Sequence, residues 1–148
     1  MDPNIALVVA ALASGAMESI TEQTIKATYM RLKTLVRRNY NDVSLEPLEQ
    51  EPESVAVREA VGEQLSTTSA ANNDELLKLA KEILDLVEQY APQEAKAAGI
   101  EVRKIKADYA KFGKLRAEGS VVFEELELKG GLETGNIEAG IEKKKRSQ

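Results

Sequence analysis

Cysteine, histidine and tryptophan are absent from this 148-residue chain, and phenylalanine occurs only twice. Without cysteine there is no disulfide and no thiolate nucleophile. Without cysteine and histidine together, the usual zinc sites and the imidazole general base are also excluded. The chain contains no GxxxxGK[ST], no GxGxxG and no paired-aspartate metal motif. Carboxylates and lysines remain, but no arrangement of them marks a reaction. The expectation is a protein that is not an enzyme and that uses no cofactor and no metal. No run reaches the roughly 18 apolar residues of an ordinary spanning helix. The opening Met1-Asp2-Pro3 places no basic residue ahead of the apolar run, so it does not read as a secretory signal. Together with the missing cysteines, this points to a cytoplasmic protein.

What is present is enough for one domain with an appendage. Apolar residues make up 43% and charged residues 30%, with a net charge of −5. An acidic chain of this kind is a poor candidate for nucleic-acid binding. Composition changes at Gly99. Residues 1–99 hold all four prolines and carry 9 basic against 16 acidic residues; residues 100–148 carry 11 against 9.

The first part reads as helices. Asp2 is placed to cap a helix with Pro3 at its first position. A second helix is expected from about Met17 to Arg38, with Ile25, Tyr29, Leu32 and Val36 on one face. A short helix is expected over 44–50 and a longer one from Ser54 to about Leu65. Asn73 caps a strong amphipathic helix through Leu76, Leu77, Ala80, Ile83, Leu84 and Val87, with Glu82, Asp85 and Glu88 as its wet face. Residues 1–99 are therefore expected to form a four-helix-type bundle.

The second part shows a weak repeat. Val102–Asp108, Phe112–Glu118, Phe123–Lys129 and Thr134–Gly140 start 10 or 11 residues apart. Their apolar pairs are Ile105/Ala107, Leu115/Ala117, Leu126/Leu128 and Ile137/Ala139. The polar residue inside each pair is Lys106, Arg116, Glu127 or Glu138. Alternation of this kind predicts strands with one buried face. The expected fold class is thus α+β, with a small repetitive β region over 100–141, either solenoid or meander, and a basic tail over 142–148. In the solenoid case Ile105, Leu115, Leu126 and Ile137 line the buried side. Lys106 and Arg116 then oppose Glu127 and Glu138 in a self-complementary assembly interface. The Lys143-Lys144-Lys145-Arg146 run reads as a solubilising tail.

One further segment has two readings. Residues 3–17 carry no charge, and Ile5, Leu7, Val8, Val9 and Leu12 make the run apolar on every side. A helix of this kind is either the core of the bundle or a candidate membrane helix released after assembly.

The segments Ala6-Leu7-Val8-Val9-Ala10-Ala11-Leu12, Ile25-Lys26-Ala27, Arg31-Leu32-Lys33-Thr34-Leu35-Val36-Arg37-Arg38, Leu48-Glu49-Gln50-Glu51-Pro52 and Glu75-Leu76-Leu77-Lys78-Leu79-Ala80 resemble helical effector or adaptor domains encoded near bacterial NLR-like immune receptors. The Bell domain, similar to fungal HeLo death domains, is the family that this pattern suggests, over roughly residues 1–95. The resemblance implies a non-enzymatic adaptor or cell-death effector of bacterial immunity whose C-terminal region mediates self-assembly. Its implied partners are further copies of itself, an NLR-like receptor or protease encoded nearby, and a membrane contacted after assembly. A passive oligomeric scaffold without membrane activity is the alternative reading.

Overall fold

The computed structural model describes residues 1–112, and a first compact unit spans Met1–Ala110. Its helices are α1 (Pro3–Ala16), α2 (Gln23–Asn39), α3 (Glu46–Gln50), α4 (Val55–Ser66), α5 (Asp74–Tyr90) and α6 (Pro92–Ala97), with a 3₁₀ turn at Ala70–Asn72 between α4 and α5. A further helix, α7, occupies residues 102–112.

Capping side chains in the sequence set the starts of α1, α4 and α5. The Asp2 carboxylate accepts from the Asn4 N–H at 2.7 Å, the Ser54 hydroxyl from Val57, and the Asn73 side chain from Leu76. The expected second helix starts late, at Gln23 rather than Met17, because residues 17–22 form a connector that buries Met17 and Ile20. Gly99 adopts φ +77°, a left-handed conformation that suits glycine, and turns the chain from α6 towards α7.

The architecture is built around α1. It packs against α2, α3, α4, α5 and the 3₁₀ turn, with its broadest contact on α5. Small residues permit that surrounding: Ala10, Ala11, Ala13 and Gly15 let neighbouring helices approach, and Ile5, Leu7, Val8, Val9 and Leu12 fill the spaces between them. The other helices are amphipathic. α5 turns Leu76, Leu77, Ala80, Ile83, Leu84 and Val87 inward, and α2 does the same with Ile25, Tyr29, Leu32, Leu35 and Val36.

The expectation of an α+β fold is overturned. The structure is helical, and no strand occurs among the described residues. The first supposed strand, Val102–Asp108, lies within α7. Its Ile105/Ala107 alternation coexists with a helical pattern through the same residues. Val102, Ile105 and Tyr109 recur at three and four residues; Val102 is buried and the other two pack against the core. Lys104 and Asp108 add an i,i+4 ion pair. The remaining repeat copies lie outside the described residues.

Candidate functional site

The uncharged helix α1 is the most distinctive feature of the bundle, and the structure places every one of its candidate membrane residues in the core. Ile5, Leu7, Val8, Val9 and Leu12 are all buried. Both ends of the helix are tied down. At the start, the Asn4 side-chain amide donates to the Ala71 carbonyl at 2.7 Å. At the end, the Lys26 ammonium reaches back from α2 and donates to the Gly15 and Met17 carbonyls, both at 2.7 Å. These carbonyls belong to the negative end of the α1 dipole, so a cation there caps the helix electrostatically. Burial lowers the Lys26 pKa, and the nearby Glu18 charge opposes that only in part.

The fit is imperfect in two places. Asn4 Oδ1 and the Ser14 hydroxyl are buried with no hydrogen-bond partner among the described residues. Gly15 lies directly against the Tyr29 ring, and a Cβ built there would sit 2.4 Å from Tyr29 Cδ1. The ring is itself held: the Tyr29 hydroxyl donates to Glu49 at 2.7 Å, and Lys33 pairs with the same carboxylate oxygen. Burial pushes the Tyr29 pKa well up, and the Glu49 contact adds to the rise. For Glu49, burial pulls upward, but the hydrogen bonds from Lys33 and Tyr29 and the charges of Lys33 and Arg37 outweigh it and hold the carboxyl low. Glu49 also lines a cleft of about 600 Å³ with Lys33, Arg37, Asp42 and Glu46. Cations and carboxylates are mixed along its wall, and Lys33 and Glu49 are already engaged with each other.

A second polar feature joins α5 to α7. Lys106 bridges Asp85 at 2.5 Å and Glu88 at 2.7 Å, and Arg103 pairs with Glu88 at 2.9 Å. Asp85 also holds Lys81. For Asp85, burial raises the pKa, but the bonds from Lys106 and Lys81 lower it further than burial lifts it. The Glu88 carboxyl is held low chiefly by its bonds to Lys106 and Arg103. Lys106 is raised by the same two acids.

Of the expected assembly residues, Ile105 and Lys106 fall in α7. Ile105 packs against the core, and Lys106 turns towards α5. Leu115, Arg116, Leu126, Glu127, Ile137 and Glu138 lie outside the described residues. Sequence reading missed the Lys26 cap, the Tyr29–Glu49–Lys33 cluster and the α5–α7 bridge. Only the last left a usable signal: Arg103 and Lys106 at i,i+3, opposite Asp85 and Glu88 at the same spacing. Among the described residues no group of acids could hold a metal ion, and no helix is long and apolar enough to cross a membrane.

The Het-E N-terminal domain family matches residues 1–131. The chain belongs to that family. The Het-E N-terminal domain is a helical, HeLo-like domain associated with NLR-type cell-death and incompatibility signalling, and it is a signalling rather than a catalytic family. The resemblance to Bell-type domains therefore stands at the HeLo-like level. No curated protein and no solved structure matches the chain.

Proposed function

We propose that this Het-E N-terminal domain is a non-catalytic signalling module of an NLR-type cell-death system, an adaptor or effector that meets its partner as a closed bundle. Family membership over residues 1–131 supports the pathway. The burial of 11 of the 14 residues of α1, every large aliphatic side chain among them, supports the closed state. Fully burying one large aliphatic side chain is worth about 1.5–3 kcal/mol. Exposing Ile5, Leu7, Val8, Val9 and Leu12 together would cost on the order of 10 kcal/mol, as much as the whole stability of a typical domain. Release of α1 is then equivalent to unfolding, and the intact surface carries the recognition. The partner under this reading is an NLR-like receptor or a protease encoded nearby, and the resting protein is cytoplasmic.

Co-expression tests the reading. Cell viability is expected to fall when the chain and the NLR-type receptor encoded nearest to it are produced together, and to hold when either is produced alone. Unchanged viability with every neighbouring receptor and protease would sink it.

The uncharged stretch over residues 3–17 favours a second reading, in which a partner releases α1 into a bilayer. With 14 residues, α1 reaches about 21 Å, short of a hydrocarbon layer of roughly 30 Å, so it would enter one leaflet or associate with other copies. Dye release from anionic liposomes separates the two readings. The closed-bundle reading expects no leakage from the receptor-bound protein.

A further inference from the structure

Two exposed faces of the bundle have opposite charge and no ion-pair partner among the described residues. The first is on α2. Its 17 residues include Lys26, Arg31, Lys33, Arg37 and Arg38 and no acid. Lys26 and Lys33 are engaged internally, as described above. Arg31 and Arg38 are exposed and form no ion pair among the described residues. Helical spacing puts them on one stripe with Ala27, Met30 and Thr34, opposite the buried face. Met30 is 53% exposed within that stripe.

The second face is the outer side of α4 and the residues before it. Glu51, Glu53, Glu59 and Glu63 are exposed, and none forms an ion pair among the described residues. Val55 shares this face with Glu59 and Glu63 and is 58% exposed. The two faces lie on helices that do not pack broadly on each other. α2 packs on α1 and α5, whereas α4 packs on α1, α3 and the 3₁₀ turn.

We propose that a second copy of this chain docks its α4 face on the α2 face of the first. Met30 then meets Val55 at the centre, and Arg31 and Arg38 meet Glu59 and Glu63 around them. The α2 face offers Met30 beside exposed cations and the α4 face offers Val55 beside exposed acids, with the neighbouring Arg58 guanidinium turned to the Pro52 and Ala98 carbonyls. The acids of α5 are poorer candidates, because Lys81, Arg103 and Lys106 already neutralise Asp85 and Glu88. An anionic bilayer is a poorer occupant of the α2 face as well. Residues 1–112 carry 13 basic against 18 acidic residues, so the body of the domain is repelled as the stripe is attracted. The two faces differ, so the contact is heterologous and leaves one face of each type free at the ends of a row. The inference rests on the closed-bundle reading and names one partner for it.

The test uses the full chain with two double charge reversals, Arg31→Glu with Arg38→Glu, and Glu59→Lys with Glu63→Lys. All four positions are exposed, and circular dichroism verifies the fold. In sedimentation velocity at low salt, the wild type is expected to associate with rising concentration and to dissociate as salt is added. Each double variant alone is expected to associate roughly tenfold more weakly, since exposed pairs contribute a factor of a few each and reversal turns attraction into repulsion. An equimolar mixture of the two is expected to recover association. A monomeric wild type, variants that associate like the wild type, or a mixture that fails to recover would overturn the proposal. So would an α2 variant that loses flotation with phosphatidylserine vesicles while self-association is unchanged. A monomeric wild type that still kills cells with its receptor would defeat this inference alone and leave the signalling reading intact.

Discussion

Gly15→Ala is the substitution that most directly tests how α1 is held. Taken alone, it should help: alanine in a helix is favoured over glycine by about 0.5–1 kcal/mol. Packing opposes it. The new methyl would lie 2.4, 2.5 and 2.6 Å from Cδ1, Cγ and Cβ of Tyr29. These are the atoms nearest the α2 backbone, not the far end of a flexible side chain, so the clash cannot be relieved by a small rotation. At the other end of the ring the hydroxyl is fastened to Glu49. Relief therefore requires α1 and α2 to move apart, which also strains the Lys26 contacts to Gly15 and Met17. Overpacking of this kind costs about 1–3 kcal/mol. The net expectation is a loss of about 1–2 kcal/mol in urea denaturation, with the slope of the transition unchanged. Tyr29→Ala in the same background provides the control. That change alone destabilises by about 3–5 kcal/mol, but it removes the obstruction, so adding Gly15→Ala to it should be neutral or favourable. The coupling between the two sites is the decisive quantity. A Gly15→Ala variant that matches or exceeds wild-type stability in the presence of Tyr29 would refute the packing described here.

Other outcomes follow from the same core. Ser14→Ala removes a buried hydroxyl without a partner among the described residues and is expected to stabilise the domain by about 1 kcal/mol, read as a higher urea midpoint. Leu7→Asp or Val8→Asp buries an unpaired carboxylate and is expected to abolish the cooperative unfolding transition. The α5–α7 bridge has a defined pH response. Asp85 and Glu88 have lowered pKa values in the folded protein, so their contribution is complete above the unfolded values, from roughly pH 5 upwards, and is lost as the pH falls through the lower folded values. Hydrogen exchange over residues 102–110 should therefore accelerate below about pH 4 before the α1 amides do, and Lys106→Met should give the same acceleration at neutral pH.

The sequence alone determined where α1, α4 and α5 begin and which side chains of α2 and α5 enter the core. Those signals are local: Asp2, Ser54 and Asn73 each cap through an N–H two or three residues away, and the apolar spacing of α2 and α5 needs no knowledge of neighbours. The uncharged run of α1 was legible as an element needing shelter, and the bundle buries 11 of its 14 residues. Tertiary structure decided the segment after Gly99. Ile105 and Ala107 alternate as a strand would, and Val102, Ile105 and Tyr109 repeat as a helix would. A short stretch can satisfy both periods, so its local pattern does not choose between them. The helix is held by residues elsewhere in the chain: the bundle offers an apolar seat for Val102 and Ile105, and Asp85 and Glu88 hold Lys106. The Lys26 cap and the Gly15–Tyr29 contact were likewise invisible beforehand. Each depends on the angle at which α2 crosses α1, and that angle is set by the packing of the whole core.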